Sequence, residues 1–330
     1  MKKKLLFQWS LGIAFLVVVF YLGDVSSLAR LPRVNWHLVF FAFLATLCFF
    51  VIHNLRWMDI VRGLRLTDEK AGLPFMDFLR WLVNSYVMGM VVPADLSLVG
   101  VRMFYLHRSN TVPPQAALFS LLLDRCLDLV VFVLFLVPAM FFFLKMGGLA
   151  GASVLFLALL CLVLFFIAFR KEKAFDLLVG AYAWALKIFA RLPVLKNKLK
   201  KDVTASIGDC RFSEGLIYRI LGWSLLKYFA AALRFYLLGL IFGADFSLLQ
   251  AVLVMPLIQA SFLINITPAG LGIVELGTYG ALALMGVEES KILLFVVGQR
   301  VLFSSFMIGS ALIVNLLVMA RSRMAVRRAV

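Results

Sequence analysis

Apolar runs of about 20 residues, the length that crosses a bilayer core, recur from one end of this chain to the other. In hydrocarbon every backbone N–H and C=O must be satisfied within the protein, which leaves only helices and closed barrels. A barrel would show short segments of alternating polarity, and the sequence has none. The expected fold is therefore all-α, a polytopic helical membrane protein. Composition agrees: 64% of the 330 residues are hydrophobic and 15% are charged, with a mean hydropathy of +1.02.

The net charge of +16 would suggest nucleic acid in a soluble chain. Here the excess cations stand at segment ends, where they orient helices and meet anionic lipid. Nucleic acid is not an expected partner. Cys48, Cys126, Cys161 and Cys210 are scattered and form no C-x-x-C pair, and His37, His53 and His107 lack metal-ligand spacing. There is no Walker motif, no H-E-x-x-H and no Gly-x-Ser-x-Gly, so neither cofactor nor catalytic residue is expected. Lys2-Lys3-Lys4 precedes an apolar run longer than a signal-peptide core of about 7–15 residues. It reads as a retained first span.

Spans are expected at about 5–22, 38–60, 115–144, 150–170, 216–242 and 291–319, with a tight turn over Lys145–Leu149. The most basic loop lies between the spans at 150–170 and 216–242, and the tail carries Arg321, Arg323, Arg327 and Arg328. The positive-inside rule puts both termini and that loop in the cytoplasm of a cell-membrane protein. Residues 174–192 read as a helix lying in the interface. With these ends fixed, residues 74–108 must enter and leave by the cytoplasmic face, and residues 247–288 by the outer face. Each stretch is divided by a proline, Pro93 or Pro268. In the first, only Asp95 to Leu106 follows the proline, too short for a full crossing, and the stretch reads as a re-entrant hairpin; the second allows either a hairpin or two spans.

These two stretches belong to a repeated pattern. Pro93 and Arg125 stand 32 residues apart, and so do Pro268 and Arg300. Upstream, Leu55-Arg56-Trp57 matches Leu233-Arg234-Phe235. The expectation is one membrane domain, 1–330, built from inverted repeats with broken helices: unit one about 38–144, an interfacial basic segment about 171–215, and unit two about 216–319. Paired interrupted segments of this kind point to a transport site.

Ionised groups at bilayer depth are costly and need a partner or a watered cavity. The candidates are Arg102, Asp124, Arg125, Asp128, Glu275 and Arg300, with polar Asn84, Gln259, Asn265 and Gln299. Asp124 and Asp128 share a helical face. They can pair with Arg125 simply to hold helices together. Glu275 follows the second break and can favour a helix N-terminus, or pair with Arg300 or Arg125. A guanidinium forks two donors onto phosphate, so Arg102, Arg125 and Arg300 suit a lipid head group. Pro93, Pro268, Gly270 and Gly272 are the expected hinges. Gly270 and Gly272 can also serve only to permit a tight turn or close packing.

The pattern Arg56-Trp57, Pro93 to Arg102, Leu123-Asp124-Arg125, Thr267-Pro268-Ala269-Gly270-Leu271-Gly272-Ile273-Val274-Glu275 and Arg300 resembles the lysylphosphatidylglycerol synthase transmembrane-region family. Two departures stand out: Ala269 replaces a usual glycine, and Asp95 is the only carboxylate between Pro93 and Arg102. The resemblance implies a flippase-like domain that handles a membrane phospholipid or a polyprenyl- or hopanoid-type lipid, and possible association with a lipid-synthesis enzyme. The aminoacyl-transferase domain of bifunctional relatives is absent from these residues, so lysine transfer is not expected. A membrane-embedded lipid-modifying transferase, with Asp95 and His107 as its best acid–base pair, and a scaffold for a lipid-synthesis enzyme are the alternatives.

Overall fold

A computed structural model describes residues 2–23, 34–63, 75–92, 94–108, 114–165, 214–263, 267 and 270–329. The described residues form ten helices: α1 Lys2–Leu22, α2 Trp36–Gly63, α3 Phe75–Met88, α4 Ala94–Arg108, α5 Pro114–Phe143, α6 Gly148–Phe165, α7 Glu214–Phe242, α8 Leu248–Leu263, α9 Ile273–Leu284 and α10 Glu289–Ala329. Five of them, α2, α5, α6, α7 and α10, are long and apolar enough to cross a membrane. The protein is thus a polytopic helical membrane protein, as its apolar runs require. The interfacial reading of residues 174–192 lies outside the described residues.

The lipid-facing side is plain on α6, where Val154 is 67% exposed and Leu157 and Phe165 are similarly open. Water would not tolerate such a stripe; lipid tails match it. The same match removes the hydrophobic drive between helices, so association must come from close packing and polar contacts. Packing is visible at Phe135 and Tyr228, whose rings stack at 3.9 Å, and at Phe295, which meets Phe235 at 5.0 Å. A turn joins α5 to α6, with Lys145 and Gly148 both in the left-handed region.

Between the long helices lie two hairpins of short ones. Helices α3 and α4 have 14 and 15 residues and pack together, joined where Ser97 Oγ donates to the Ser85 carbonyl at 3.0 Å. At 1.5 Å per residue each rises only about 21–22 Å. Helices α8 and α9 have 16 and 12 residues and also pack together. Residues 248–284 thus hold two helices that are both shorter than the candidate spans. Pro93 and Pro268 lie outside the described residues. Gly270 and Gly272 are described and take φ of 67° and 78°, a region that favours glycine. The turn is tied by Gly270 N–H to the Thr267 carbonyl at 3.0 Å and by Thr267 Oγ1 to the Leu271 carbonyl at 2.9 Å.

Helix α1 leans on this turn. A Cβ on Gly272 would collide with the Gly12 carbonyl and with Phe15. Farther along, the Tyr279 hydroxyl donates to the Leu22 carbonyl at 2.8 Å.

The order long, short, break, short, long occurs twice, in α2–α5 and in α7–α10. Contacts match as well. Where α2 packs on α3 and α4 on α5, α7 packs on α8 and α9 on α10. Helix α3 packs on α10 of the other set, and α8 packs on α5. Helices α2 and α7 run antiparallel: Asp59 meets Arg219, Arg56 meets Ser224, and Phe49 meets Arg234.

Candidate functional site

One polar cluster sits where α2, α3, α4, α5 and α7 converge. Helix spacing explains its composition. His53 and Arg56 are three apart on α2, Asp124 and Asp128 four apart on α5, and Ser224 and Lys227 three apart on α7, so each pair shares a face. Asp124 is fully buried. Its Oδ1 accepts from Arg56 Nη2 at 2.5 Å. Its Oδ2 accepts from both terminal nitrogens of Arg102 at 3.2 Å and faces His53 Nε2 at 3.1 Å. An ionised carboxylate only accepts, so His53 donates through Nε2, and Nδ1 accepts from the Tyr86 hydroxyl at 3.1 Å.

Asp128 forms the second knot. It accepts from Arg56 Nη1 at 2.7 Å and from Lys227, while Arg125 Nη1 stands 3.7 Å away. Arg56 Nη1 also donates to Ser224 Oγ at 3.0 Å. Four cations, Arg56, Arg102, Arg125 and Lys227, thus share two carboxylates among the described residues. The inner part, His53, Arg56, Arg102 and Asp124, has no accessible surface. The outer part is open: Arg125 and Asp128 side chains keep 26% and 27% of theirs. Tyr86 packs on Phe49 at 6.0 Å and bonds His53, while Arg234 lies over the Phe49 ring at 5.3 Å, so these rings stand between the ionic cluster and α7.

A second group stands at the α8–α9 turn. The Glu275 carboxylate accepts from the Gly272 N–H at 2.6 Å, satisfying a donor at the start of α9, and pairs with Arg300 Nη1 at 3.2 Å. Beside it, Gln299 donates to Thr278 Oγ1 at 3.4 Å. Arg125 and Arg300 each lie 11 residues inside their helices, α5 and α10. That is about 16 Å of rise from the start of each helix.

Of the residues expected from sequence, Arg102, Asp124, Arg125 and Asp128 come together, and Glu275 joins Arg300. Asn265 lies outside the described residues. Asn84 bonds Asn315 at 2.9 Å, linking α3 to α10. Asp124 pairs with Arg56 and Arg102, partners its sequence neighbour Arg125 did not suggest. Sequence reasoning does not single out His53, Arg56, Tyr86, Ser224 or Lys227 as site residues; Arg56, there only part of the repeated pattern, is wholly buried. The available signal was a pair of polar residues three apart within an apolar run, His53/Arg56 and Ser224/Lys227.

The fold and this buried ionic cluster define a multi-pass helical membrane protein with charged groups held deep among its spans. The chain belongs to the family described as the lysylphosphatidylglycerol synthase TM region, whose model matches residues 8–312. It is also similar to a UPF0104 membrane protein of Pyrococcus horikoshii, 20% identical over 309 residues, covering 88% of this chain and 89% of that protein.

Proposed function

We propose that this protein is a lipid translocase, moving a polar or anionic head group between leaflets while the acyl tails stay in the bilayer. The observation that carries this reading is the gathering, among the described residues, of four cations around two carboxylates at the α2–α5–α7 junction. A phosphate is the complementary charge, and a guanidinium holds it with two donors. The family name, which refers to a lysylphosphatidylglycerol synthase, supports a lipid as the cargo.

The two helix sets are inverted repeats in this reading. Antiparallel α2 and α7 occupy matching places in the two sets, and their contacts exchange on swapping one set for the other. Such a swap requires a two-fold axis across the helices, hence in the membrane plane. Rocking one set against the other would open the junction to each leaflet in turn. Both termini are placed in the cytoplasm by the positive-inside rule. No catalytic residue is assigned.

Arg125 binds phosphate at the open edge of the cluster. Glu275 holds the α9 turn and Arg300 in position. The test is transbilayer movement of a fluorescent phosphatidylglycerol in proteoliposomes. Arg125→Ala lowers the rate by about tenfold or more, the loss of one charge-assisted contact. Equal rates for wild type, Arg125→Ala and protein-free vesicles would reject translocation.

A second reading, a membrane scaffold for a lipid-synthesis enzyme, is favoured by the mutual satisfaction of Asp124, Arg56, Arg102 and His53. It predicts no protein-dependent movement of lipid in the same vesicles.

A further inference from the structure

Arg234 on α7 is absent from the ionic network. Among the described residues no hydrogen bond or ion pair holds its guanidinium, and its Nη1 is buried without a partner. The charge lies instead over two rings, Phe303 at 4.1 Å and Phe49 at 5.3 Å. The residue as a whole stays partly accessible. Cation–π contacts supply only part of what a guanidinium loses on leaving water.

The counterpart residues show what is missing. Pro93 and Pro268, and Arg125 and Arg300, are separated by 175 positions, and Arg234 matches Arg56. The same step carries Asp124 to Gln299 and Asp128 to Phe303. The structure supports this correspondence at the side-chain level: Arg56 meets Asp128, and Arg234 meets Phe303. The first set thus gives its arginine two carboxylates. The second set keeps the arginine and has an amide and a phenyl ring in their places. Gln299 is turned to Thr278.

We propose that Arg234 is the anchor of an anion site in the second helix set, its missing counter-charge supplied by a phosphate group, that of an anionic phosphodiester head group or free phosphate. Phe49 and Phe303 hold the guanidinium plane while its remaining N–H groups face the ligand. The site lies beside Tyr86, through the Phe49 ring that packs on Tyr86 at 6.0 Å, and so adjoins the Tyr86–His53–Asp124 chain of the first cluster. This deepens the translocase reading and rests on it for the identity of the cargo, but binding needs no movement across a bilayer.

The experiment is titration of purified protein in neutral detergent with dioctanoyl phosphatidylglycerol and, separately, with inorganic phosphate. Arg234→Gln weakens binding by about tenfold or more, and Arg234→Lys restores part of it. Phe303→Asp puts back the carboxylate found at the matching place in the first set. It should abolish binding while the melting midpoint is kept or raised. This variant still decides the question if Arg234→Gln fails to fold. Loss with the lipid alone identifies a head-group site, and loss with phosphate alone a free-anion site. Unchanged affinity for both ligands in folded Arg234→Gln or Phe303→Asp overturns the proposal, as does binding of neither ligand by wild type. Vesicles that fail to translocate while binding remains Arg234-dependent reject the translocase reading and leave the site standing.

Discussion

The two helix sets use the same scaffold and opposite electrostatics. Around Asp124 the first set closes its charges upon one another, with three side chains from two helices meeting one carboxylate. The second set has Glu275 with Arg300 at a turn, and Arg234 between rings. A closed network fixes helices in place, because separating any member strands a charge in a low dielectric. Rings supply only part of what a guanidinium loses on leaving water, so Arg234 is held less firmly than Arg56. The comparison teaches that two helix sets of the same order can treat buried arginines differently, one with carboxylates and the other with aromatic rings.

Removing the keystone of the closed half has the largest expected effect. Asp124→Ala leaves Arg102 with no carboxylate that the described contacts supply and takes one of two from Arg56. The cost is about 3–5 kcal/mol, read as a large fall in the thermal midpoint in detergent. A fall as small as that of a surface variant would show that the network is not what holds α2, α4 and α5 together. In the open half the matching change is milder. Glu275→Gln breaks the pair with Arg300 but keeps an acceptor for the Gly272 N–H, so about 1.5 kcal/mol is expected. If that variant melts as low as Asp124→Ala, the contrast between the halves is lost. The smallest effect belongs to the rim. Arg219, 57% exposed, pairs with Asp59 at 2.7 Å, and Arg219→Ala should cost under about 1 kcal/mol. Added salt should erase even that difference, while leaving the Asp124 result intact.

Much of this was legible in the sequence because membrane helices announce themselves. Five long apolar helices and the turn after α5 follow from hydropathy, and Gly270 and Gly272 mark the turn between α8 and α9. Asp124, Arg125, Glu275 and Arg300 stood out because charge in an apolar run is conspicuous. What stayed hidden was partnership. Arg56 lies seven residues from the end of α2, close enough to read as a head-group anchor, and only the approach of α5 shows that it points inward. Arg234 served as a marker of repetition and nothing more. That its neighbours lack carboxylates becomes visible only when α10 brings Phe303 over it.

The seat of α1 has a mechanical consequence. Gly12 and Phe15 press on the Gly272 turn, and the Leu22 carbonyl is tied to Tyr279 farther down α9. With two points of attachment along one arm, the first helix acts as a splint: the arm cannot tilt alone and must carry the amino-terminal helix with it. A load applied outside the bundle, by a fused domain or by a thicker bilayer, is therefore transmitted straight to the broken turn.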